Sequence, residues 1–331
     1  MPRLALLALL LLGLAATAAA PATAARQATP VATPSAAEGD FAGLVDIGGG
    51  RRLWLECRGS GGPTVILEAG YRSPATVWTD NLLQPDQPRE MVLEGVARFT
   101  RVCAYERPGV AAVIDGRLVP SRSDPVPMPR TAESVVADLH ALLRAADVSG
   151  PYVLVGHSLG GLFVRLYAAT YPDEVVGMVL VDAYSEGIEP LLTPAEWASY
   201  QRVINAVSPE VADYRDYETV DFDAASAAMA AAAAAHPLGD VPLVVLAHGQ
   251  PFGLTEDELG FPPEKLETAW RAAQEGLARL TPDARFEVAA ESSHYIQLQQ
   301  PELVIDAVRA VVDAVRDPAS WDTAVAATPE G

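Results

Sequence analysis

The sequence predicts an α/β fold: a mostly parallel sheet flanked by helices, with an inserted helical cap. Three observations lead there. Short apolar runs alternate with amphipathic stretches from about residue 51 to residue 317, the pattern produced when parallel strands are buried on both faces by helices. The stretch Gly156-His157-Ser158-Leu159-Gly160 stands directly between one such run and one such amphipathic stretch. Between Ala183 and Asp240 the alternation lapses into an aromatic-rich segment followed by the tract "AASAAMAAAAAA", which is strongly helical by propensity.

The elements follow in order. "RRLWLEC" (51–57) and "PTVILEA" (63–69) read as strands on either side of the glycine turn "RGSGG". A helix is expected between Pro74 and Ala97, then a strand in "TRVCAYE" (100–106). The run "VPSRSDPVPMPR" (119–130) excludes regular helix or central strand. Thr131, followed by Glu133 and Ser134, opens the amphipathic helix "AESVVADLHALLRAA". Tyr152 to Val155 is a buried strand, Leu162 to Ala168 a helix, and "EVVGMVLVD" (174–182) another strand. After the cap, about 183–240, come the strand "VPLVVLAHG" (241–249), a helix from near Glu264 to Leu280, the strand "ARFEVAA" (284–290) and a closing helix from Pro301. No internal repeat is visible.

The first residues carry Arg3, an apolar core from Leu4 to Leu14, and then small residues. Residues 1–25 are expected to be a secretory signal peptide, which makes the protein secreted or extracytoplasmic. No cysteine follows the apolar core, so lipid attachment is not indicated. Residues 26–40, rich in Pro, Ala and Thr, read as a linker, residues 41–317 as the folded domain, and 318–331 as a tail. The net charge of −20, with 43 acidic against 23 basic residues and no basic run, argues against nucleic acid or an anionic membrane as a partner. Past the signal region no segment approaches 18 uninterrupted apolar residues. The two cysteines, Cys57 and Cys103, are too few for a structural zinc site; an exported chain permits a bridge between them.

A serine on a tight strand-to-helix turn has its hydroxyl pushed out at the end of a sheet. It needs a base to become a nucleophile, and the base needs an orienting acid. Of five histidines, His294 in "ESSHYIQLQQPEL" follows the last strand and precedes the last helix, at the carboxyl edge where Ser158 also lies. His140 falls on a helix, His157 is the variable residue of the motif, and His236 ends the alanine tract. His248 closes a strand and reads equally well as a satisfied turn residue.

From Gly43 to Asp317 the chain resembles α/β-hydrolase-fold serine hydrolases, of the esterase-like, exported bacterial type. The resemblance is carried by "GHSLGG", by "LEAG" followed by Tyr71, by "RVCAYERPG" and by "SSHYIQLQQPELV". It departs where Ala69-Gly70 replaces the more usual His-Gly and Glu106 the frequent aspartate. The resemblance implies an oxyanion hole made of the backbone NH groups of Tyr71 and Leu159, and the chain order serine, acid, histidine. It also implies that the strands bearing Cys57 and Cys103 are antiparallel neighbours, so that a bridge competes with two buried thiols. Asp182, 24 residues past Ser158 at a strand end, is favoured as the acid; the rival is Asp257 in the turn Glu256-Asp257-Glu258, which has the look of a solvated cluster.

Because the nucleophile is a serine and not a carboxylate, an acyl-serine route without metal or organic cofactor is expected, on a small or medium acyl ester. Amides, lactones and carbon-carbon bonds stay open as substrates. So does a ligand-binding or sensor protein that keeps the fold.

Overall fold

The computed structural model describes residues 39–114 and 116–321. The expected signal peptide, residues 26–38 of the expected linker and residues 322–331 of the expected tail lie outside the described residues.

In chain order the elements are β1 (Phe41–Asp46), β2 (Arg52–Arg58), β3 (Thr64–Glu68), α1 (Val92–Ala97), β4 (Val102–Glu106), β5 (Ala111–Ile114), β6 (Arg117–Pro120), α2 (Ala132–Ala145), β7 (Tyr152–His157), α3 (Leu159–Thr170) and β8 (Val175–Val181). They continue with α4 (Pro194–Ile204), α5 (Phe222–Ala235), β9 (Leu243–His248), α6 (Glu256–Leu259), α7 (Pro263–Leu277), β10 (Arg285–Ala289), α8 (Ile296–Gln299) and α9 (Pro301–Arg316).

Eight strands form one sheet in the order β1-β2-β4-β3-β7-β8-β9-β10, and β5 pairs with β6 in a separate hairpin. From β4 to β10 neighbouring strands of the sheet are parallel, while β2 is antiparallel to both β4 and β1. Every residue of β3, β4, β7 and β9 is buried, as strands covered on both faces require. Alternate side chains serve opposite layers. Leu154 and Leu180 pack with α2, α3 and α7, whereas Val153, Val155, Val179 and Val181 pack with α1 and α9. Helix α9 buries Val304, Ile305, Val308, Val311 and Val312, a single apolar stripe at helical spacing.

The expected helix between Pro74 and Ala97 is cut down to a 3-10 turn, Ala75–Val77, and the six-residue α1. Pro85 and Pro88, with Asp80, Asn81 and Asp86 nearby, favour turns over helix between them. β1 and the β5-β6 hairpin are additional. Only Val45 of β1 is buried, and the hairpin buries nothing, so neither carries a hydrophobic period to read.

Cys57 on β2 lies directly opposite Cys103 on β4, and a disulfide joins them. The segment between β8 and β9 holds α4 and α5. Thr193 caps α4 in a reciprocal box with Glu196, and the Asp221 side chain accepts from Ala224 N at the start of α5. Trp197 Nε1 donates to Asp223 Oδ1 at 2.9 Å and ties the two helices together. Among the described residues no helix is long and apolar enough to cross a membrane.

Candidate active site

β7 ends at His157 and α3 begins at Leu159, leaving Ser158 alone at the junction with φ 51° and ψ −126°. A positive φ is costly for a residue with a Cβ. Neighbouring backbone enforces it: Ser158 N donates to Val181 O at 3.2 Å, and Ser158 O accepts from Gly161 N and Tyr184 N, both at 2.8 Å. Gly160 is required here, since a Cβ would lie 2.5 Å from the carbonyl oxygens of Glu68 and Ala69.

Asp182 follows β8 and is fully buried, with φ 42°. Its Oδ1 accepts from Trp270 Nε1 at 3.0 Å and from His248 N at 3.2 Å. Its Oδ2 accepts from His294 Nδ1 at 2.6 Å and from His248 Nδ1 at 2.8 Å. Burial alone would raise this carboxyl, but the bonds from His248 and His294 hold it well below the usual carboxylate range. Asp257, by contrast, is exposed in the first turn of α6. The structure therefore brings Asp182 to His294 and leaves the rival acid in solvent.

His157 is buried against the same loop, and its Nε2–H donates to the backbone oxygen of His294 at 2.9 Å. Burial, reinforced by nearby His294, pushes the His157 imidazole down to about 3, so it stays neutral. Gly70 must be glycine beside it, because a Cβ there would lie 2.8 Å from His157 Nδ1 and 3.1 Å from Ser158 Cβ. Tyr71 follows in the turn after β3. Leu159 is the first residue of α3, where an amide has no acceptor within its own helix.

Arg107, 2% exposed, donates to Ala69 O at 2.8 Å and Gly70 O at 2.6 Å, to Glu68 Oε1 at 2.5 Å, and to Glu218 Oε1 at 2.6 Å. Glu218, in the segment between β8 and β9, also accepts from Arg72 N at 2.6 Å. A buried ion cluster thus holds the Gly70-Tyr71-Arg72 turn to that segment.

Ser158, His294 and Tyr71 line one cavity of about 290 Å³, whose apolar wall includes Tyr184, Tyr200 and Phe222. No hydrogen bond joins Ser158 to His294. Two other aromatic residues of the segment between β8 and β9, Trp197 and Tyr214, lie outside this lining: Trp197 braces α4 against α5, and Tyr214 packs beside Tyr217. A larger depression of about 470 Å³ opens at the amino ends of β8 and β9, near Val241 and Trp321, away from these groups. Among the described residues no group of three or more His, Cys, Asp or Glu side chains is arranged to hold a metal ion.

Glu267, Arg107 and Glu218 escape the reading of the sequence, and His248, weighed there as a strand-closing histidine or a turn residue, bonds to Asp182. The available signal was a polar residue closing an apolar strand at the carboxyl edge, which His248 and Glu106-Arg107 both give.

A sequence profile described as alpha/beta hydrolase fold matches residues 101–248, from β4 through the serine turn and Asp182 to the end of β9. The chain is a protein of the α/β-hydrolase fold. This α/β-hydrolase-fold protein is 37% identical over 151 residues to an uncharacterized protein of Schizosaccharomyces pombe, a match covering 40% of the chain but only 26% of that relative. The uncharacterized protein YqjL of Bacillus subtilis is 27% identical over 247 residues, covering 75% of the chain and 82% of the relative. Among solved structures, that of a putative lipase from Acinetobacter baumannii superposes with a TM-score of 0.54 at 17% identity, over 85% of this chain and 93% of the other. At that identity the likeness is one of fold.

Proposed function

We propose that this protein is a serine hydrolase that cleaves a small or medium acyl ester, with Ser158 as nucleophile, His294 as base and Asp182 as orienting acid. The observation that carries the reading is the 2.6 Å bond from His294 Nδ1 to Asp182 Oδ2, made by a histidine sharing a cavity with a strained, positive-φ serine. Asp182 fixes the Nδ1–H tautomer, which leaves His294 Nε2 free to accept a proton. A hydrogen bond from Ser158 Oγ to His294 Nε2 forms when ester enters, since catalytic bonds often close only on complex formation.

Ser158 Oγ attacks the carbonyl carbon while His294 Nε2 takes its proton. The NH groups of Tyr71 and Leu159 stabilise the oxyanion as it forms. His294 then protonates the departing alcohol, and the acyl group remains on Ser158. Water, deprotonated by His294, attacks the acyl-serine and releases the acid. A cavity of about 290 Å³ with Tyr184, Tyr200 and Phe222 in its wall suits a short apolar acyl chain, covered by the α4-α5 segment as a cap. Export by an N-terminal signal peptide belongs to the same proposal.

The test is labelling with a fluorophosphonate together with release of nitrophenol from short acyl esters. Ser158→Ala should abolish both. Unchanged hydrolysis in that variant overturns the assignment, and a wild-type protein that binds esters without turnover would be a ligand-binding protein on this fold.

A further inference from the structure

The Asp182 carboxylate serves two imidazoles through one oxygen. Oδ2 accepts from His294 Nδ1 at 2.6 Å and from His248 Nδ1 at 2.8 Å. In a triad that carboxylate orients a single histidine. Here the last residue of β9 competes for it.

His248 is 6% exposed, and its other ring nitrogen, Nε2, lies 2.9 Å from Glu267 Oε2 on α7. An ionised carboxylate only accepts hydrogen bonds, so an imidazole between two carboxylates carries a proton on each nitrogen. That makes it a cation. The charged groups around it are Asp182 from the end of β8, Glu267 from α7, and Arg271, also from α7, which donates to the His248 backbone oxygen at 2.7 Å. Phe252 closes an apolar side, its ring centroid 4.6 Å away. Burial works against the charged form, but the bonds to Asp182 and Glu267 prevail and raise His248 to about 9. Around His294 stand the shared Asp182, the neutral His157 with ring centroids 4.7 Å apart, and Tyr295 at 5.4 Å. No second carboxylate bonds to His294 to make up for the charge that His248 offsets.

We propose that His248 is a positioning residue, a cation held between Asp182 and Glu267, that offsets part of the Asp182 charge and so weakens the hold of that carboxylate on the His294 Nδ1 proton. The proposal rests on reading Ser158, His294 and Asp182 as a triad. His248 also borders an open depression with Glu267 and Arg271 whose lining shares no residue with the cavity of Ser158. Its proton can therefore exchange with solvent without passing through the substrate site.

The experiment is a ¹⁵N imidazole titration of the full chain, in wild type, His248→Gln and His248→Lys, beside the pH profile of kcat/KM. Wild-type His248 is expected to be doubly protonated at pH 7. In His248→Gln the His294 titration and the acid limb of the profile should both move to higher pH by about one pH unit, while His248→Lys, which keeps the charge, should hold them near wild type. A neutral His248 in wild type at pH 7, or an unmoved His294 in folded His248→Gln, overturns the proposal. If neither variant folds, the wild-type resonances decide. Because the titration needs no turnover, failure here is distinct from failure of the triad, which Ser158→Ala reports.

Discussion

Arg107, in the turn after β4, donates to the carbonyl oxygen of Gly70 at 2.6 Å, and so a buried guanidinium holds the backbone on which Tyr71 is carried. Removing it would leave Glu68 and Glu218, both fully buried, without their shared cation. Breaking a buried pair by deleting one partner costs about 3–5 kcal/mol. Arg107→Met should therefore lower the free energy of unfolding by about that amount, read by urea denaturation. In whatever fraction folds, kcat should fall more than KM rises, since in the proposed mechanism a loosened Tyr71 amide affects the oxyanion more than the bound ester.

Asp182→Asn, which would disturb the His294 tautomer, should lower turnover by on the order of 10⁴-fold. Asp257→Asn, on exposed α6, should match wild type. Steady-state rates on a nitrophenyl ester compare the two, and the opposite ranking would move the acid to α6.

Stability should depend on pH through His248. Its folded value of about 9 lies above the ordinary histidine value of about 6.5, so its contribution is complete below about pH 6.5 and is lost as pH rises toward about 9. Asp182 behaves in the opposite sense: held below the usual carboxylate range, it contributes above that range and loses its contribution in strong acid. Unfolding free energies measured from pH 6 to pH 10 should decline across the first window in wild type and stay flatter in His248→Gln.

The pocket wall makes a prediction about chain length. Tyr200→Ala and Phe222→Ala should shift preference toward longer acyl groups across a series of nitrophenyl esters. Tyr214→Ala, outside the lining, should leave the series unchanged. A flat response to the first two would mean that the acyl chain does not lie against α4 and α5.

The disulfide closes a separation of 46 residues. In the chain-entropy model such a loop contributes about 4 kcal/mol. The double variant Cys57→Ser with Cys103→Ser should be less stable by about that much, by equilibrium denaturation. Two titratable thiols in unreduced, denatured wild type would contradict the bridge.

Much of the sheet is legible in the sequence because most of its parallel strands are apolar runs; Ser158 and Asp182 each stand where such a strand gives way to a turn, and His294 lies in the loop after the more polar β10. The remainder depends on distance. Arg107 and Glu218 are 111 residues apart and His248 and Glu267 are 19 apart, so neither pair leaves a periodic trace. Glu267 shares an amphipathic helix with Glu264 and Glu275, and nothing in its spacing marks it from them. The over-long helix expected between Pro74 and Ala97 fails for a local reason, two prolines within a turn-rich stretch.

The segment between β8 and β9 is fastened to the turn bearing Tyr71 at several points. Tyr71 Oη donates to Asn205 Oδ1 at 2.8 Å, Arg72 Nη1 to Ala206 O at 3.0 Å, and both Arg72 N and Arg107 reach the buried Glu218 carboxylate. Swinging it aside as a hinged lid would strip a carboxylate of its cation and disorder the turn bearing Tyr71 at the same moment. If the protein is the ester hydrolase proposed above, its substrate would have to reach Ser158 with this segment still fastened in place. Its rate should climb smoothly with monomeric substrate and show no jump where the substrate begins to form micelles.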